Sequence, residues 1–248
     1  RVRSSAASDV YKRQAHNQLL FDPTGSGTDL FSATNPYIVL TSVPTSAVWP
    51  TPLSDFLIAR KISRVAIIYD ANDFDRSQEQ TVAAQLTRAV IAPVLNMPVP
   101  TSTSDYRAII RSVRRSRPQA VLEFGYQNND IGFLNGLESA GAHFPLVFTI
   151  FPGQLRQLLQ RTVGTVGLAY TFTYGFPPEI GYTHVTLGMT TAQFRTRFWA
   201  ATHSTANFLD IAGYNAGLVI QAALQHASTL SQLGLRSALN QVSGDLRT

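Results

Sequence analysis

An acid and an aromatic residue follow the most continuous apolar run of the sequence. In the stretch RVAIIYDANDFD, the run from Val65 to Tyr69 stops at Asp70, and Phe74 comes four residues later. A run without polar alternation suits a strand buried on both faces, as in parallel sheets. Open α/β sheets hold ligands just beyond the carboxyl ends of such strands. Asp70 and Phe74 are therefore candidates for chemistry or for ligand contact, and a simple turn is the third possibility.

Similar residues follow the other predicted strands. Because the carboxyl ends of parallel strands face one edge of a sheet, these residues are expected to line a cleft of hydroxyls, backbone amides and aromatic rings. Such a cleft suits a small molecule with an apolar body and a polar end. Any single aromatic residue could instead belong to the rim of the core, but the recurrence over several strands favours the cleft. The residues are Thr24, Gly25, Ser26, Asp70, Phe74, Phe124, Tyr126, Phe151, Tyr174 and Phe176.

The sequence contains no recognisable catalytic or cofactor motif. The segment TGSGT lacks the Lys of a phosphate-binding loop and the third Gly of a dinucleotide fingerprint, and no GxSxG motif occurs. The five histidines are scattered without ligand spacing, and there is no cysteine. A phosphoacceptor role for Asp70 would need an acidic pair and a Lys that the chain does not supply at suitable places. We therefore expect no enzyme activity, no metal and no cofactor.

The charge pattern argues against a nucleic-acid partner. The net charge of +5 arises from 20 basic and 15 acidic residues, and the densest basic run is RSVRRSRP. In a helix, Arg111, Arg114 and Arg115 share a face opposite an apolar face, which is typical of a solvated amphipathic helix. No aromatic platform accompanies them. No apolar run approaches the roughly 18 residues that a membrane helix needs.

Strands and helices alternate through the middle of the chain. Strands are predicted near 65–69, 92–99, 119–124, 145–151 and 167–174, with helices between them, including one over 153–161 and the arginine-faced helix after a Ser104 cap. From about residue 190 the pattern is helical. This alternation predicts an α/β fold with a parallel sheet. Residues 1–16 lack an initiator Met, an apolar signal core and any periodicity, so we expect them to be a non-native or disordered leader.

Several segments, taken in order, resemble the periplasmic binding proteins of branched-chain amino acid ABC transporters. They are FDPTGSGTDL, RVAIIYDANDFD, SDYRAIIRSVRRSRPQAVLEFGY, LESAGAHFPLVFT and IAGYNAGLVIQAAL. The resemblance implies a type I periplasmic-binding-protein fold: a partial first lobe from residues 17–70 and 190–248, a second lobe from residues 71–189, and truncation at both ends. It also implies a monomeric, periplasmic protein that captures a small organic ligand between the lobes and delivers it to a membrane permease.

The resemblance also suggests which residues bind the ligand. Thr24, Gly25 and Ser26 match the loop that holds the ligand carboxylate with backbone amides and a hydroxyl. Phe74 stands where the family usually has Tyr followed by Gly, and Tyr126 matches a ligand-contacting aromatic of the second lobe.

Phe151 departs from the family pattern, because amino-acid binders usually place an acid at this position to meet the ligand ammonium. A buried ammonium without a carboxylate would cost several kcal/mol unless another acid compensated. We therefore predict a ligand with a carboxylate or amide end and an apolar or aromatic body rather than a standard α-amino acid.

Two other functions stay open at this point. One is a ligand-sensing domain of a regulator with the same fold, which an attached regulatory domain would favour. The other is an α/β enzyme whose catalytic groups lie outside this sequence, which turnover of a candidate ligand would reveal.

Overall fold

The computed structural model describes residues 12–31, 35–152, 160–161, 164, 171–175, 181 and 183–243. The chain forms two compact units, one from Arg1–Thr45 with Phe176–Thr248 and the other from Ser46–Gly175. The sequence-based lobes differ from this division, because residues 46–70 belong to the second unit and residues 176–189 to the first. The strand that ends at Asp70 lies in the sheet of the second unit, so it groups with its pairing partners.

The elements follow in chain order. The strands are β1 (Leu20–Asp22), β2 (Ile38–Leu40), β3 (Val65–Asp70), β4 (Leu95–Val99), β5 (Ala120–Phe124), β6 (Leu146–Phe148) and β7 (Thr171–Phe172). The helices are α1 (Thr51–Ala59), α2 (Asp73–Arg88), α3 (Arg107–Ser116), α4 (Gln127–Ser139), α5 (Thr191–Thr202), α6 (Phe208–His226) and α7 (Gln232–Val242), with a 3-10 turn at Thr28–Leu30. Residues 12–15, inside the expected leader, are helical.

The second unit is built on a parallel sheet with strand order β4-β3-β5-β6-β7. The apolar run that opens β3 alternates between two cores: Ala66 and Ile68 pack on one face, and Val65 and Ile67 on the other. All four side chains are fully buried. Burial on both faces explains the absence of polar alternation in the sequence and confirms the predicted α/β class with a parallel sheet.

Helix α3 confirms the predicted amphipathic pattern. Ile110 and Val113 are buried in one core, whereas Arg111, Arg114 and Arg115 are exposed. The predicted Ser104 cap was wrong, since the helix begins at Arg107. Its first amide donates to the carboxylate of Asp105 at 3.0 Å, because Asp105 lies close enough in sequence to cap it. The predicted helix over 153–161 lies almost wholly outside the described residues.

The first unit carries a small parallel pair, β1 with β2, covered by α6 and α7. Val219 and Ala223 of α6 and Leu239 of α7 pack against Phe21 and Val39 of the strands. These contacts bury the apolar side of the pair and hold the residues that follow β1. Among the described residues, no helix is long and apolar enough to cross a membrane.

Candidate functional site

Four aromatic side chains meet at the carboxyl edge of the sheet in the second unit. We call Trp49, Phe74, Tyr126 and Tyr174 the aromatic wall. Phe74, Tyr126 and Tyr174 follow β3, β5 and β7, and Trp49 contacts two of them. None of the four is fully buried, and Tyr126 is the most accessible at 38% exposed. Partly exposed rings at the carboxyl ends of parallel strands are suited to hold the apolar part of a ligand.

The rings of the wall contact one another directly. Phe74 stacks on Tyr126 with centroids 5.7 Å apart and planes 10° apart. Trp49 meets Phe74 edge-on at 5.3 Å and Tyr174 edge-on at 6.0 Å. Both geometries are favourable aromatic pairings, worth about 0.5–1.5 kcal/mol each beyond the buried area. The wall is therefore a continuous surface of ring faces and edges rather than four separate side chains.

Local structure places each ring. Asn72 caps α2 by accepting a hydrogen bond from the Asp75 amide at 3.0 Å, so Phe74 lies in the first helical turn. Tyr126 is the residue that precedes α4. Gln78 of α2 accepts a hydrogen bond from the Tyr174 hydroxyl at 2.9 Å. The wall is thus fixed to helix starts and to a buried amide.

The other aromatic residues at strand ends have different positions. Phe124 is fully buried and packs on Phe148 with centroids 5.6 Å apart, so it is core rather than cleft. Phe151 is half-buried against the same core. Phe176 lies outside the described residues. Of the residues predicted for this edge, Phe74 and Tyr126 are brought into contact, and Phe151 is on a neighbouring strand end.

Four carboxyl groups lie buried at the same edge. We call Asp70, Asp75, Glu123 and Asp130 the carboxyl cluster. All four side chains are fully buried. Asp70 ends β3, Glu123 is in β5, and Asp75 and Asp130 lie in the first turns of α2 and α4, where the helix dipole favours a negative charge. One oxygen of Asp130 accepts a hydrogen bond from the Phe151 amide at 2.7 Å.

Burial raises the pKa of every member of the cluster. The pKa of Asp70 rises to about 7 because of desolvation, which the Tyr126 amide partly offsets. Desolvation also raises the pKa of Asp75, against the hydrogen bond from Asn72. Glu123 and Asp130 interact as a pair, and burial raises the pKa of both.

The loop predicted to bind the ligand carboxylate, residues 24–26, belongs to the first unit. Its backbone amides already bind a carboxylate of the chain itself. The Asp22 carboxylate accepts hydrogen bonds from the amides of Thr24 at 3.0 Å and Gly25 at 2.7 Å. A Cβ on residue 25 would clash with this carboxylate, which would have to shift. The hydroxyl of Ser26 is buried and makes no hydrogen bond within the described part of the chain. Of the three predicted residues, Ser26 therefore keeps a free donor, while the two amides stabilise the turn.

Sequence reasoning missed three residues of this region. Trp49 lies before α1 rather than after a strand, so no strand-end rule selects it. Asp75 and Asp130 carried a usable signal, since acids in the first turn of a helix that follows a buried strand lie at the carboxyl edge. The described residues contain no group of three or more His, Asp or Glu side chains that could hold a metal.

Comparisons with known proteins agree with this architecture. A family model described as periplasmic binding protein matches residues 2–246. No curated protein sequence matches the chain.

Similar solved structures include a leucine-binding protein from Thermotoga maritima (TM-score 0.80, 11% identity, covering 94% of this chain and 65% of that one). A second is a type 1 periplasmic binding protein from Bordetella pertussis (TM-score 0.76, 15% identity, covering 94% of this chain and 66% of that one). A third is a solute-binding protein from R. palustris in complex with benzoate (TM-score 0.74, 12% identity, covering 94% of this chain and 63% of that one). The chain thus spans about two thirds of the length of these structures.

Proposed function

We propose that this chain, which belongs to the periplasmic binding protein family, is the solute-binding component of an ABC importer. In this function it captures a small organic ligand in the periplasm as a monomer and delivers it to a membrane permease, without a catalytic step of its own. The observation that carries the proposal is the aromatic wall, because it is a preformed, partly exposed apolar surface at the edge where parallel sheets bind ligands.

The chemistry of the edge narrows the ligand class. Ring faces and edges contact flat or aliphatic bodies well, and they provide no strong partner for a charged end. The carboxyl cluster lies close to the wall, since Asp75 and Asp70 act electrostatically on Tyr126. Any ionised member of the cluster would repel an anionic end of a ligand, so that end is expected away from these acids. We therefore propose that the wall contacts an apolar or aromatic body and that the ligand carboxylate or amide is bound elsewhere.

We also propose the Ser26 hydroxyl of the first unit as a donor to a ligand carboxylate or amide oxygen. It is 2% exposed and has no partner among the described residues, and a buried donor without a partner is costly. A ligand carboxylate or amide oxygen would supply the missing acceptor. The benzoate complex of the R. palustris protein shows that a protein of this fold takes a ligand of the proposed kind, whereas the Thermotoga maritima protein is named for leucine.

A thermal-shift screen tests the proposal. The full chain is mixed with benzoate, 4-hydroxybenzoate, aliphatic carboxylates, amides, leucine and valine. A ligand at about 100 times its Kd stabilises the folded state by about 2.7 kcal/mol, which is a clear rise in Tm. We expect an aromatic or aliphatic carboxylate to raise the Tm and leucine to raise it less. A larger shift with leucine or valine would contradict the ligand class, and no shift with any compound would contradict the binding function.

Two variants link a positive result to the wall. Tyr126→Ala removes the most accessible ring of the wall and should abolish most of the ligand-induced shift. Trp199→Ala removes an aromatic side chain that is 56% exposed and lies on α5 of the other unit. We expect that control to keep the full shift. Equal effects of the two substitutions would argue that the wall does not contact the ligand.

A further inference from the structure

The carboxyl cluster lies directly behind the backbone that carries the candidate ligand contacts. Asp130 accepts the hydrogen bond of the Phe151 amide at 2.7 Å. Asp70 interacts with the amide of Tyr126. Asp75 follows Phe74 in the chain, and its carboxylate accepts a hydrogen bond from the Asn72 side chain at 2.6 Å. Each of the three aromatic residues is therefore next to, or held by, one buried acid.

In the described part of the chain, the charges that act on the carboxyl cluster come from other acids. Members of the cluster raise one another's pKa values by charge repulsion. They also raise the pKa values of three neighbouring phenols, those of Tyr106, Tyr126 and Tyr174. Asp73 of α2 faces Tyr126 as well. Within the described residues, none of the effects on the cluster comes from Lys, Arg or His. Several carboxyl oxygens of the cluster, including both oxygens of Asp70, also have no hydrogen-bond partner among the described residues.

The local backbone is shaped to accommodate this arrangement. Gly125 lies between Glu123 and Tyr126, and a Cβ at residue 125 would clash with the Glu123 carboxyl and lie 2.7 Å from the Cβ of Asn129. The turn that positions Tyr126 is therefore packed against the cluster without room for a side chain. A change of charge or position at Glu123 must act on this turn.

We propose that the carboxyl cluster is a positioning device that couples the aromatic wall and the Phe151 backbone to pH. This inference rests on the proposed function, since it assigns a regulator to the same site. When the cluster is protonated, its members are neutral and fit together in one buried volume, so the wall is held in place. When it ionises, the Tyr126 and Phe151 amides are drawn more strongly to Asp70 and Asp130, while carboxylates within one buried volume repel one another. The turns that carry Tyr126 and Phe151 then shift with their acids, and the wall loses its arrangement. We expect ligand affinity to fall as the cluster loses its protons.

Fluorescence of Trp49 tests this without any ligand. The chain has two tryptophans, so Trp199→Phe leaves Trp49 as the sole reporter, in contact with Phe74 and Tyr174. In this background the emission is followed from about pH 5 to about pH 9, a range that brackets the titration of buried acids. We expect a transition near neutral pH, in line with the raised pKa of Asp70, which is about 7.

Three substitutions in the same background decide the outcome. Asp130→Asn keeps an oxygen that can accept from the Phe151 amide, but the new side chain cannot ionise. Asp70→Asn removes a second ionisable group of the cluster. Each substitution should abolish the transition or move its midpoint by about one pH unit or more. Asp105→Asn is the control, because Asp105 is exposed and pairs with Arg107 at 2.6 Å. Its transition should match that of the parent.

Two results would overturn the inference: a parent emission that does not change with pH, or Asp130→Asn and Asp70→Asn variants that both titrate with the parent midpoint. If Asp130→Asn fails to fold, Glu123→Gln replaces it, since Glu123 and Asp130 interact as a pair. A chain that shows the pH transition but no thermal shift with benzoate or any other tested ligand would contradict the proposed function and support the coupling.

Discussion

The phenol of Tyr174 donates a hydrogen bond of 2.9 Å to Oε1 of Gln78, across 96 positions of sequence. The same Gln78 side chain donates from Nε2 to the carbonyl of Phe74 at 3.2 Å. Gln78 is fully buried in α2. One buried amide therefore joins two members of the aromatic wall that are far apart in the sequence. The wall depends on this amide as well as on its ring contacts.

Tyr174→Phe should destabilise the chain although it keeps the ring. The substitution leaves the buried Gln78 oxygen without its donor, and such an unsatisfied group costs about 1–3 kcal/mol. Tyr69→Phe is the matched control, since the Tyr69 hydroxyl makes no hydrogen bond among the described residues and its loss should change the free energy of unfolding by less than about 0.5 kcal/mol. Urea unfolding of both variants measures the difference. Equal values would mean that the bond contributes nothing.

The free energy of unfolding should fall as the pH rises through neutrality. The pKa of Asp70 is about 7 in the folded chain, against an ordinary value of 3.8. The folded state therefore binds more protons than the unfolded state between these values, and the stability present at low pH is lost as the pH rises through about 7. Other buried acids of the cluster have raised pKa values and act in the same direction. Unfolding in urea at about pH 5 and about pH 8 measures the change.

Asp70→Asn should stabilise the chain at the higher pH. The amide carries no charge, so the cost of holding an ionised group in this position disappears, and the dependence of stability on pH becomes shallower. Asp105→Asn should leave the slope in this range unchanged, because its Arg107 partner holds the pKa of Asp105 at about 2. A slope in Asp70→Asn as steep as in the parent would show that Asp70 does not titrate there.

Much of the fold was predictable because its signals are local. The unbroken apolar run of β3 and the arginine stripe of α3 each depend on residues within a few positions, and both predictions were confirmed. The carboxyl edge followed from the same reasoning, since strand direction alone decides which residues share it. Phe74 and Tyr126 were selected in this way, and their rings lie in contact.

The other features depend on contacts that sequence spacing does not encode. Trp49 joins the wall through contacts with Phe74 and Tyr174, which are far from it in the chain. Asp130, in the first turn of α4, accepts the hydrogen bond of the Phe151 amide, so an acid from another element lies near the position where the family pattern would place one. The boundaries of the two units likewise follow from strand pairing, and the strand that ends at Asp70 joins the second unit through β4 and β5.

Phe148 and Phe172 offer a direct comparison of buried and exposed aromatic positions. The two residues are paired across β6 and β7. Phe148 is 1% exposed and contacts Tyr174 with centroids 4.8 Å apart, whereas Phe172 is 46% exposed. Phe148→Ala should cost about 3–5 kcal/mol, because it leaves a cavity in the core behind the wall. Phe172→Ala should cost about 1 kcal/mol or less. Similar losses in urea unfolding would mean that this edge of the sheet is not packed as described.

Gly25→Ala should disrupt the loop that follows β1. A Cβ at this position meets the Asp22 carboxylate, so the carboxylate must move and give up its hydrogen bonds to the amides of Thr24 and Gly25. Loss of these charge-assisted bonds should cost about 1.5–3 kcal/mol, and displacement of the loop should weaken benzoate binding through Ser26.

Gly217→Ala provides the control for that substitution. Gly217 is exposed within α6, and an added Cβ meets nothing within 4 Å. Because Ala is favoured over Gly inside a helix by about 0.8–1 kcal/mol, this variant should be slightly more stable than the parent and bind benzoate unchanged. Urea unfolding and a benzoate thermal shift on both variants give the comparison. A Gly25→Ala chain that matches the parent in both measurements would exclude the Asp22 turn as a support of the Ser26 position.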